Sequence, residues 1–505
     1  MSLRTEAVKN VTATWFGLAV QGIISFLLSP FILHRLGDEA FSIWILIFAL
    51  TGYFGLLDLG IRSSIVRYTA RFLARDARAE LSKYLSTSLT FYGLVSVIVL
   101  CATGIAYFYL PSMFKIPVAM LGSARALLLL SGIGVALTFP LSVFTGALEG
   151  MQKFAWLQLT HLGITLLRAI LIVLALENGG GLLEVGTITV VLNVISYLVF
   201  AVVAVRVLPV RLRFGVVNLS AIRTMGSYGF FATAILAAEK LRFQSDAMVI
   251  GVFLPATAIT VFSIGAKLVE YASYPVKSMA QIFTPMTSEF HARDDFSRLQ
   301  RVFVAGNRAS ALIVFPICVT LVMLGKSIIT AWVGARYVSA YSVLILLIIP
   351  RSIYIAQSTS TKILLGMGLH RTLASILLLE GVANLLLSVL LARPLGVIGV
   401  ALGTAIPLSM TGLLFLPHHL CGVLRMPLVT FVKRAYSLPA LLCVPLGVTL
   451  WLASRQITLN SSFNVIVQAG IGGLVYGGGL ALALWTQRDT HPISWQAFSQ
   501  LLEPK

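Results

Sequence analysis

Residues 226–251 read GSYGFFATAILAAEKLRFQSDAMVIG, and this stretch decides the class of fold. It is long enough to cross a bilayer as a helix, yet four charged residues lie near its centre. These are Glu239, Lys240, Arg242 and Asp246. A charge at bilayer depth costs roughly 3 kcal/mol by insertion scales, and such residues normally face a bundle interior or a wet cavity. The next apolar segment carries three more, Lys267, Glu270 and Lys277. The two segments together predict a polar chamber inside a membrane protein.

The composition of the whole chain agrees with that class. Of its 505 residues, 58% are hydrophobic and only 11% are charged, far from the roughly 25% charged residues of a soluble domain. The mean hydropathy is +0.94. The net charge of +19 would suggest nucleic acid in a soluble protein, but most of these charges lie in short loops between apolar runs. The charge therefore indicates membrane topology, and we expect no nucleic-acid partner.

Fourteen apolar runs are each near the ~20 residues that cross a bilayer, which predicts an all-α polytopic membrane protein. They span approximately 12–33, 41–60, 84–110, 122–146, 157–177, 182–205, 226–252, 257–283, 302–325, 339–361, 372–392, 396–418, 434–453 and 463–486. Charges interrupt the seventh, eighth and tenth runs. In the last run, Gly473 and Gly477 have the small-residue spacing that lets helices approach closely, so we predict that they pack against another helix.

The Lys and Arg residues predict the orientation of these spans. With the N-terminus inside, 23 of the 37 basic residues lie in inner connections or at the termini, 7 lie in outer connections and 7 lie within spans. The positive-inside rule then predicts that both termini, including the tail after the last span, are cytoplasmic.

Residues 62–83 are basic but do not form a span. Arginines recur every three to four residues, and apolar residues supply the other side of a helix. The arginines are Arg67, Arg71, Arg75 and Arg78, and the apolar residues are Ile65, Val66, Phe72 and Leu73. The pattern predicts a basic amphipathic helix on the cytoplasmic surface, attracted to anionic lipid headgroups, with a substrate role as the alternative.

Two short matches at one offset indicate an internal repeat. Residues 36–44 align with residues 254–262, and residues 150–153 align with residues 368–371, both at an offset of 218. Spans 1–6 and 7–12 would then be two related halves of the same orientation, with an axis along the membrane normal and a cavity between them. The predicted domains are 1–207 and 208–420, each a six-helix lobe, and 421–505, which holds two further helices and the tail.

The charges within the spans are the candidate site residues. Glu239, Arg242 and Asp246 are three and four residues apart, so they share a helical face, as do Lys267, Glu270 and Lys277. The sequence leaves open whether these acids and bases only pair with each other or contact a ligand.

Three more bases within spans have no acid within four residues: Arg168, Arg308 and Arg351. Glu380 is a possible partner for Arg168 or Arg351, and Asp58 closes the second span. The seven bases exceed the five acids, and a cationic cavity suits an anionic substrate because Arg binds phosphate oxygens through paired donors.

Enzyme and metal motifs are absent from the sequence. It contains no G-x-x-x-x-G-K-[ST], no H-E-x-x-H and no nucleophile elbow, and its seven histidines are scattered. We therefore predict no enzyme activity, no catalytic residue, no metal site and no cofactor, apart from H⁺ or Na⁺ as a coupling ion.

Several stretches resemble the polysaccharide flippases of the multidrug/oligosaccharidyl-lipid/polysaccharide (MOP) exporter superfamily. They are Ser29-Pro30 followed by LHRLGDEAFSIWILIFALTGYFGLLDLGIRSS, the run GALEGMQKF, the run SDAMVIGVFLPATAITVFSIGAKL, and the turn Gly366-Met-Gly368. The resemblance covers about residues 5–420. It implies a multidrug-exporter-like fold, in which two six-helix lobes form a V-shaped cavity and two extra C-terminal helices often follow.

The resemblance also implies a function. A flippase of this kind moves undecaprenyl-diphosphate-linked oligosaccharide from the inner to the outer leaflet of the bacterial cytoplasmic (inner) membrane. Its partners would be that lipid-linked oligosaccharide, membrane lipids and other polysaccharide-assembly membrane proteins. The bases expected to line the cavity are Lys240, Arg242, Lys267, Lys277, Arg168, Arg351 and Arg308. The acids expected to bind a coupling ion or to pair with those bases are Asp246, Glu270, Glu239, Glu380 and Asp58.

Two other functions remain as alternatives. A multidrug antiporter of the same superfamily usually has twelve spans and an acid-rich cavity, unlike this chain. A membrane-embedded polysaccharide polymerase or ligase would be expected to carry a large outer loop, whereas the longest outer connections here, about 111–121 and 326–338, are short.

Overall fold

The computed structural model describes residues 3–456 and 462–486, and in this part of the chain every regular element is a helix. The predicted all-α class is confirmed. The predicted tail after residue 486 lies outside the described residues, as does most of the connection before the last helix. The α-helices are α1 Leu3–Gly52, α2 Ile61–Ala74, α3 Arg78–Met113, α4 Val118–Gly150, α5 Phe154–Glu177, α6 Leu182–Val207, α7 Leu219–Phe243, α8 Ser245–Phe253, α9 Thr257–Ala280, α10 Phe283–Ala292, α11 Phe296–Val333, α12 Ala340–Ala356, α13 Ser358–Gly366, α14 His370–Met410, α15 Leu416–Val423, α16 Leu428–Gln456 and α17 Ser462–Thr486.

Most of the predicted spans correspond to helices that could cross a membrane. Among the described residues, nine stretches are long and apolar enough, and α12 with α13 forms a tenth as a bent pair. Two of the nine each correspond to two predicted spans: Val20–Asp58 overlaps the first and second, and His370–Val423 contains the eleventh and twelfth. The predicted seventh and eighth spans are not among the ten, because their charges lower the local hydropathy. The chain is therefore a multi-pass membrane protein, while the count of fourteen spans stays a prediction.

Two glycines divide the longest helices where the sequence predicts a boundary between spans. Gly37 lies within α1 at φ 77° and Gly396 lies within α14 at φ 60°, conformations that favour glycine. On either side of Gly396 the chain packs antiparallel. The Asn384 side-chain amide donates to the Thr404 hydroxyl at 3.0 Å, and the Ser388 hydroxyl donates to the Val400 carbonyl at 3.4 Å. The predicted eleventh and twelfth spans thus form a helical hairpin within α14.

Two predicted spans are not single helices. The predicted seventh span is divided at Gln244, which lies between the end of α7 and the start of α8 with φ −112°. The predicted tenth span breaks at Gln357, and its two parts, α12 and α13, meet at an angle of 41°. The apolar pattern continues through both positions, so it does not reveal the breaks.

The basic amphipathic helix is shorter than predicted. It is α2, which ends at Ala74, and the chain then turns through Asp76 at φ 52°. Arg78 is the first residue of α3 rather than the last turn of α2. Ile65, which is predicted to lie on the apolar side of this helix, is fully buried, as predicted.

The turn at Asp76 recurs at the offset of the internal repeat. Asp294 has φ 53°, and it stands between α10 and α11 as Asp76 stands between α2 and α3. Five backbone hydrogen bonds around the turn at Asp76 each have a counterpart around Asp294 at a separation of 218. In addition, Ser42 and Thr260 are equivalent positions at this offset, and their buried hydroxyls share a hydrogen bond at 2.7 Å.

The second sequence match of the repeat is shifted by two residues. In the structure the turn at Gln152, with φ 58°, corresponds to the turn at Gly368, with φ 75°. The amide groups of Met151 and Met367 close these turns in the same way. The separation is 216, so Gly150 corresponds to Gly366, and the predicted pairing of residues 150–153 with residues 368–371 is wrong. The second half is two residues shorter between these turns.

The chain divides into two compact units, Met1–Thr260 and Val261–Lys505, here called unit 1 and unit 2. In unit 1, a buried core that includes Ile65, Tyr92 and Phe200 joins α2, α3, α4 and α6. In unit 2, a core that includes Leu324 and Leu446 joins α11, α16 and α17. The lobe boundaries at 207/208 and 420/421, which follow the repeat, stay a prediction.

The last two described helices, α16 and α17, pack against α11. The rings of Phe303 and Phe431 stack at 4.0 Å, and the Tyr476 hydroxyl donates to the Leu312 carbonyl at 2.9 Å. The predicted packing role of Gly473 and Gly477 is wrong, because a Cβ added at either position would meet nothing within 4 Å. Their neighbour Gly472 lies against α16 instead, where a Cβ would approach the Leu450 side chain to 2.8 Å.

Candidate functional site

Unit 1 contains a cluster of polar side chains from six elements, here called the unit 1 cluster. Its members lie on the short 3-10 helix Tyr53–Asp58 and on α2, α3, α4, α5 and α6. They are Asp58, Arg62, Tyr92, Glu149, His161, Arg168 and Tyr197. Two of them, Asp58 and Arg168, are predicted site residues.

Two hydrogen-bonded pairs anchor the cluster at one end. The buried Tyr92 hydroxyl donates a short hydrogen bond to Asp58 Oδ1. The Arg62 guanidinium donates to Glu149 Oε1 at 2.6 Å, which ties α2 to the end of α4. Burial lowers the pKa of Arg62, but the Glu149 carboxylate and other neighbours raise it by more, so this pKa lies above its ordinary value. Arg62 is therefore a fixed cation that Glu149 neutralises.

His161 and Arg168 extend the cluster along α5. They are seven residues apart, so they lie on the same helix face about 10 Å from each other. The electrostatic neighbours of the exposed His161 ring are Arg62, Arg168 and Glu149. Arg168 is partly buried, and its Nε has no hydrogen-bond partner in the described part of the chain. Arg168 also forms no ion pair with a described acid, so in contrast to Arg62 it has no described acidic partner.

The internal repeat shows that the fold does not need these charges. At the separation of 216 that relates the two halves here, Glu149 corresponds to Leu365, His161 to Leu377 and Arg168 to Asn384. Both halves nevertheless form the same turn before the helix that begins at Phe154 in one half and His370 in the other. The polar residues of the unit 1 cluster are thus not a requirement of the helix packing, which favours a functional role.

The charges of the stretch 226–251 have different surroundings from one another. Arg242 and Asp246 are buried, at 2% and 4% exposure, whereas Glu239 is exposed and Lys240 is partly buried. Glu239 and Arg242 both lie on α7, whereas Asp246 lies beyond the break at Gln244, on α8, so the three residues do not belong to one continuous helix. The Tyr53 hydroxyl donates to the Lys240 carbonyl at 3.2 Å and has Asp246 as an electrostatic neighbour.

The second predicted group lies on α9. Glu270 is the acid whose charge acts on Lys267. Its carboxylate also accepts a long hydrogen bond from the Tyr274 hydroxyl at 3.4 Å. Lys267 is partly buried, while Glu270 and Lys277 are exposed. The structure thus brings Lys267 and Glu270 together, as their spacing predicts.

The remaining predicted residues are spread through unit 2. Arg308 on α11 donates through Nε to the Arg434 carbonyl on α16 at 2.7 Å, so it fastens one helix to another. Arg351 on α12 is 7% exposed, with its guanidinium 5.8 Å from the centre of the Tyr354 ring, and Glu380 on α14 is 5% exposed. Helices α12 and α14 pack against each other.

Sequence reasoning missed five members of the unit 1 cluster: Arg62, Tyr92, Glu149, His161 and Tyr197. In the sequence, Arg62 belongs to the basic segment 62–83 and does not stand out from the other arginines. Glu149 lies after the end of the fourth predicted span and so does not interrupt an apolar run. One signal was available, since Glu149 is an acid at the end of a predicted span that faces an otherwise basic side. Among the described residues, no group of three His, Cys, Asp or Glu side chains could hold a metal ion.

The fold and the buried charges define a multi-pass helical membrane protein with polar groups at membrane depth. Residues 7–291 match the family described as polysaccharide biosynthesis protein. This match covers more than half of the chain, so the chain belongs to that family, as the resemblance in its sequence implies.

Known proteins similar to this chain extend the comparison. The protein described as "Uncharacterized membrane protein EpsK", from Bacillus subtilis (strain 168), is 21% identical over 438 residues, which cover 84% of this chain and 85% of EpsK. The lipid II flippase MurJ, in an inward closed conformation, matches with a TM-score of 0.74 at 18% identity over 95% of this chain and 99% of MurJ. An inward-facing multidrug resistance MATE transporter of the MOP superfamily matches with a TM-score of 0.67 at 15% identity over 83% of this chain and 96% of the transporter. These likenesses show that the chain has the fold of the MOP superfamily.

Proposed function

We propose that this protein is a flippase that moves undecaprenyl-diphosphate-linked oligosaccharide from the inner to the outer leaflet of the bacterial cytoplasmic membrane. The observation that carries the proposal is Arg168, a partly buried cation without an acidic partner among the described residues, in a chain of the polysaccharide biosynthesis family. A diphosphate supplies the oxygens that a guanidinium binds through paired donors. The likeness of the fold to a lipid II flippase supports the same class of substrate.

The unit 1 cluster suits the passage of a polar head group. Arg168 lies fourteen residues after the start of α5, which is on the order of 20 Å along the helix axis. His161 lies at half that depth, and Arg62 and Glu149 lie near the end of the helices. Polar side chains are therefore available at successive depths for the diphosphate and the sugars, while the lipid tail stays in the bilayer.

The coupling ion and the setting of the protein belong to the same proposal. Asp246 and Glu270 are the acids proposed to bind H⁺ or Na⁺, or to pair with the neighbouring bases. We place both termini in the cytoplasm, on the 23-to-7 distribution of basic residues. The proposed partners are membrane lipids and the membrane proteins that make and polymerise the oligosaccharide.

The test is flipping of a fluorescent undecaprenyl-diphosphate oligosaccharide in proteoliposomes, read by quenching of the outer-leaflet dye. We expect Arg168→Ala to reduce the flipping rate about 10- to 100-fold, since a hydrogen bond to a charged group contributes about 1.5–3 kcal/mol. Arg168→Lys should retain part of the rate. Arg125→Ala is the matched control, because Arg125 is also partly buried in unit 1 with an unbonded Nε, but it lies over the Tyr107 ring at 4.9 Å.

The outcomes separate the candidate functions. Equal rates for wild type and Arg168→Ala would remove Arg168 from the substrate path. A wild-type protein that exports cationic drugs but does not flip the lipid would be a multidrug antiporter. Lengthening of the glycan on the lipid would instead indicate a polymerase or ligase.

A further inference from the structure

The end of unit 1 that carries α2 has a concentration of exposed cations. Residues 59–83 contain six basic residues against two acidic ones, and residues 206–218 contain three basic residues and no acidic one. Four arginines of the first segment have exposed side chains: Arg67, Arg71, Arg75 and Arg78. Arg78 has an ion pair with Asp76 at 2.9 Å, in which both side chains are largely exposed.

The opposite side of α2 is fixed inside unit 1. Ile61, Ser64, Ile65 and Thr69 are buried, and the Ser64 hydroxyl shares a hydrogen bond with the Tyr84 hydroxyl at 2.6 Å. Gly150 of α4 allows this close packing, since a Cβ there would approach the Val66 carbonyl oxygen to 2.7 Å. The packing of α2 against α3 and α4 thus fixes which of its faces is exposed, and the arginines lie on that face.

A second segment adds to the same surface. Residues 208–218 run along the first turns of α3, where the Ser82 hydroxyl donates to the Arg211 carbonyl at 2.7 Å and the Arg213 amide donates to the Ser86 hydroxyl at 3.0 Å. The side chains of Arg211 and Arg213 are exposed. Beside them, Phe214 is 69% exposed and Val217 is 63% exposed, an arrangement of cations and apolar groups that suits a membrane interface.

The corresponding positions in the second half of the repeat show which of these arginines the fold requires. Helix α10 is the counterpart of α2 at the separation of 218, and of these four arginines only Arg75 has an arginine, Arg293, at the corresponding position. Arg67 corresponds to Pro285, Arg71 to Glu289 and Arg78 to Phe296. Since the corresponding turn of the second half forms with an apolar residue or an acid at these three positions, the fold does not require Arg67, Arg71 and Arg78 there.

We propose that this basic surface, formed by Arg67, Arg71, Arg75, Arg78, Arg211 and Arg213, binds the phosphate headgroups of anionic phospholipids in the leaflet that it meets. Charge complementarity supplies the attraction, and the exposed Phe214 and Val217 supply contacts with the upper part of the acyl chains. The inference does not depend on the proposed transport function, because it concerns lipid that stays bound at the rim of unit 1.

The test is native mass spectrometry of the full chain in detergent with equal amounts of phosphatidylglycerol and phosphatidylcholine. Wild type is expected to retain phosphatidylglycerol preferentially, and Arg67→Gln/Arg71→Gln/Arg75→Gln to reduce that preference at least about tenfold, since each basic residue near a charged surface contributes a factor of roughly five. The matched control is Arg293→Gln/Arg371→Gln/Arg425→Gln, which removes three exposed arginines from unit 2. Both triple variants must keep the wild-type elution volume and unfolding temperature.

An unchanged lipid preference in the α2 variant would overturn the proposal. So would an equal loss in the control, because the effect would then follow net charge rather than this surface. Competition by inorganic phosphate at millimolar concentration, without dependence on the lipid, would assign the surface to a soluble anion instead. The two proposals can fail separately. A wild-type protein that prefers phosphatidylglycerol but does not flip the oligosaccharide lipid would contradict only the transport function. A wild-type protein that flips the oligosaccharide lipid without this preference would contradict only the lipid-binding surface.

Discussion

At the scale of single residues, the unit 1 cluster combines one neutralised cation with one that has no described acid. Arg62 is bonded to Glu149, and the geometry is that of a charge-assisted hydrogen bond at 2.6 Å. Arg168, on the next helix, has no such partner among the described residues. Substitutions in the Arg62–Glu149 pair should therefore change mainly the stability of the protein, and substitutions of Arg168 should change mainly transport.

The Arg62–Glu149 pair is expected to be energetically coupled. Arg62→Gln and Glu149→Gln should each lower the free energy of unfolding by about 1–3 kcal/mol, because each leaves a partly buried charged partner without its hydrogen bond. The double variant should cost clearly less than the sum of the single variants. Thermal unfolding of the four proteins in one detergent measures this coupling, and additive effects would show that the two side chains act independently.

Asp295 allows a pH-dependent prediction outside the membrane spans. Its carboxylate accepts from the Arg298 amide at 3.0 Å and from the Ser297 hydroxyl at 2.8 Å, which holds the pKa of Asp295 below its ordinary value. A carboxyl with a lowered pKa contributes stability above its unfolded pKa, about 4, and loses it as the pH falls through the folded pKa.

Substitutions at Asp295 should separate the charge from the helix cap at the start of α11. We expect Asp295→Asn to keep the cap and to lose only a few tenths of a kcal/mol near pH 6, a difference that disappears toward pH 3. Asp295→Ala should cost about 0.5–2 kcal/mol at every pH. Unfolding temperatures between pH 3 and pH 7 measure both effects, and a pH-independent gap between wild type and Asp295→Asn would contradict the role of the charge.

Residue roles were less predictable from the sequence than residue locations. The buried positions of Arg242, Asp246 and Arg351 follow from charges inside apolar runs. The bonds that decide their chemistry join elements far apart in the chain, as Arg62 and Glu149 are joined across 87 residues. A periodic pattern contains no information about such pairs, so Glu149 stayed undetected.

At the scale of elements, the sequence predicts helices well and their breaks poorly. Gly37 falls in a predicted connection and Gly396 is the first residue of a predicted span, so both lie at predicted boundaries, because glycine is a local signal. The breaks at Gln244 and Gln357 have no such signal, since neither position carries Gly or Pro. They depend on packing with other helices, which a single segment does not specify.

The hairpin within α14 gives a prediction at this scale. A Cβ at Gly403 would lie 2.3 Å from the Ser388 hydroxyl oxygen and 2.5 Å from the Ser388 amide nitrogen, so the two arms would have to separate. We expect Gly403→Ala to cost about 1–3 kcal/mol of stability, as overpacking does. Gly422→Ala is the control, since a Cβ there meets nothing within 4 Å. Equal unfolding temperatures for the two variants in detergent would show that the arms are not in close contact.

At the scale of the whole molecule, the repeat is the feature that sequence and structure describe together. The sequence indicates two related halves at an offset of 218, and the turns at Asp76 and Asp294 have that separation. The turns at Gln152 and Gly368 differ from it by two residues, and between the two pairs of turns the span that is one helix in α4 is broken into α12 and α13 in the second half. Backbone geometry locates the equivalent residues where apolar sequence similarity does not.

The orientation of the chain in the membrane is the remaining prediction at this scale. If the termini are cytoplasmic, the connection after α3 faces outward and the connection between α4 and α5 faces inward, because each crossing reverses the side. The concentration of arginines on α2 argues for the same orientation, since cytoplasmic loops carry the excess of basic residues.

We expect a cysteine at position 112 to react with an impermeant maleimide in intact cells, and a cysteine at position 153 to react only after permeabilisation. Both positions are exposed, and the background requires removal of the native cysteines at 101, 318, 421 and 443. The opposite labelling pattern would invert the molecule and place the basic surface of α2 in the outer leaflet.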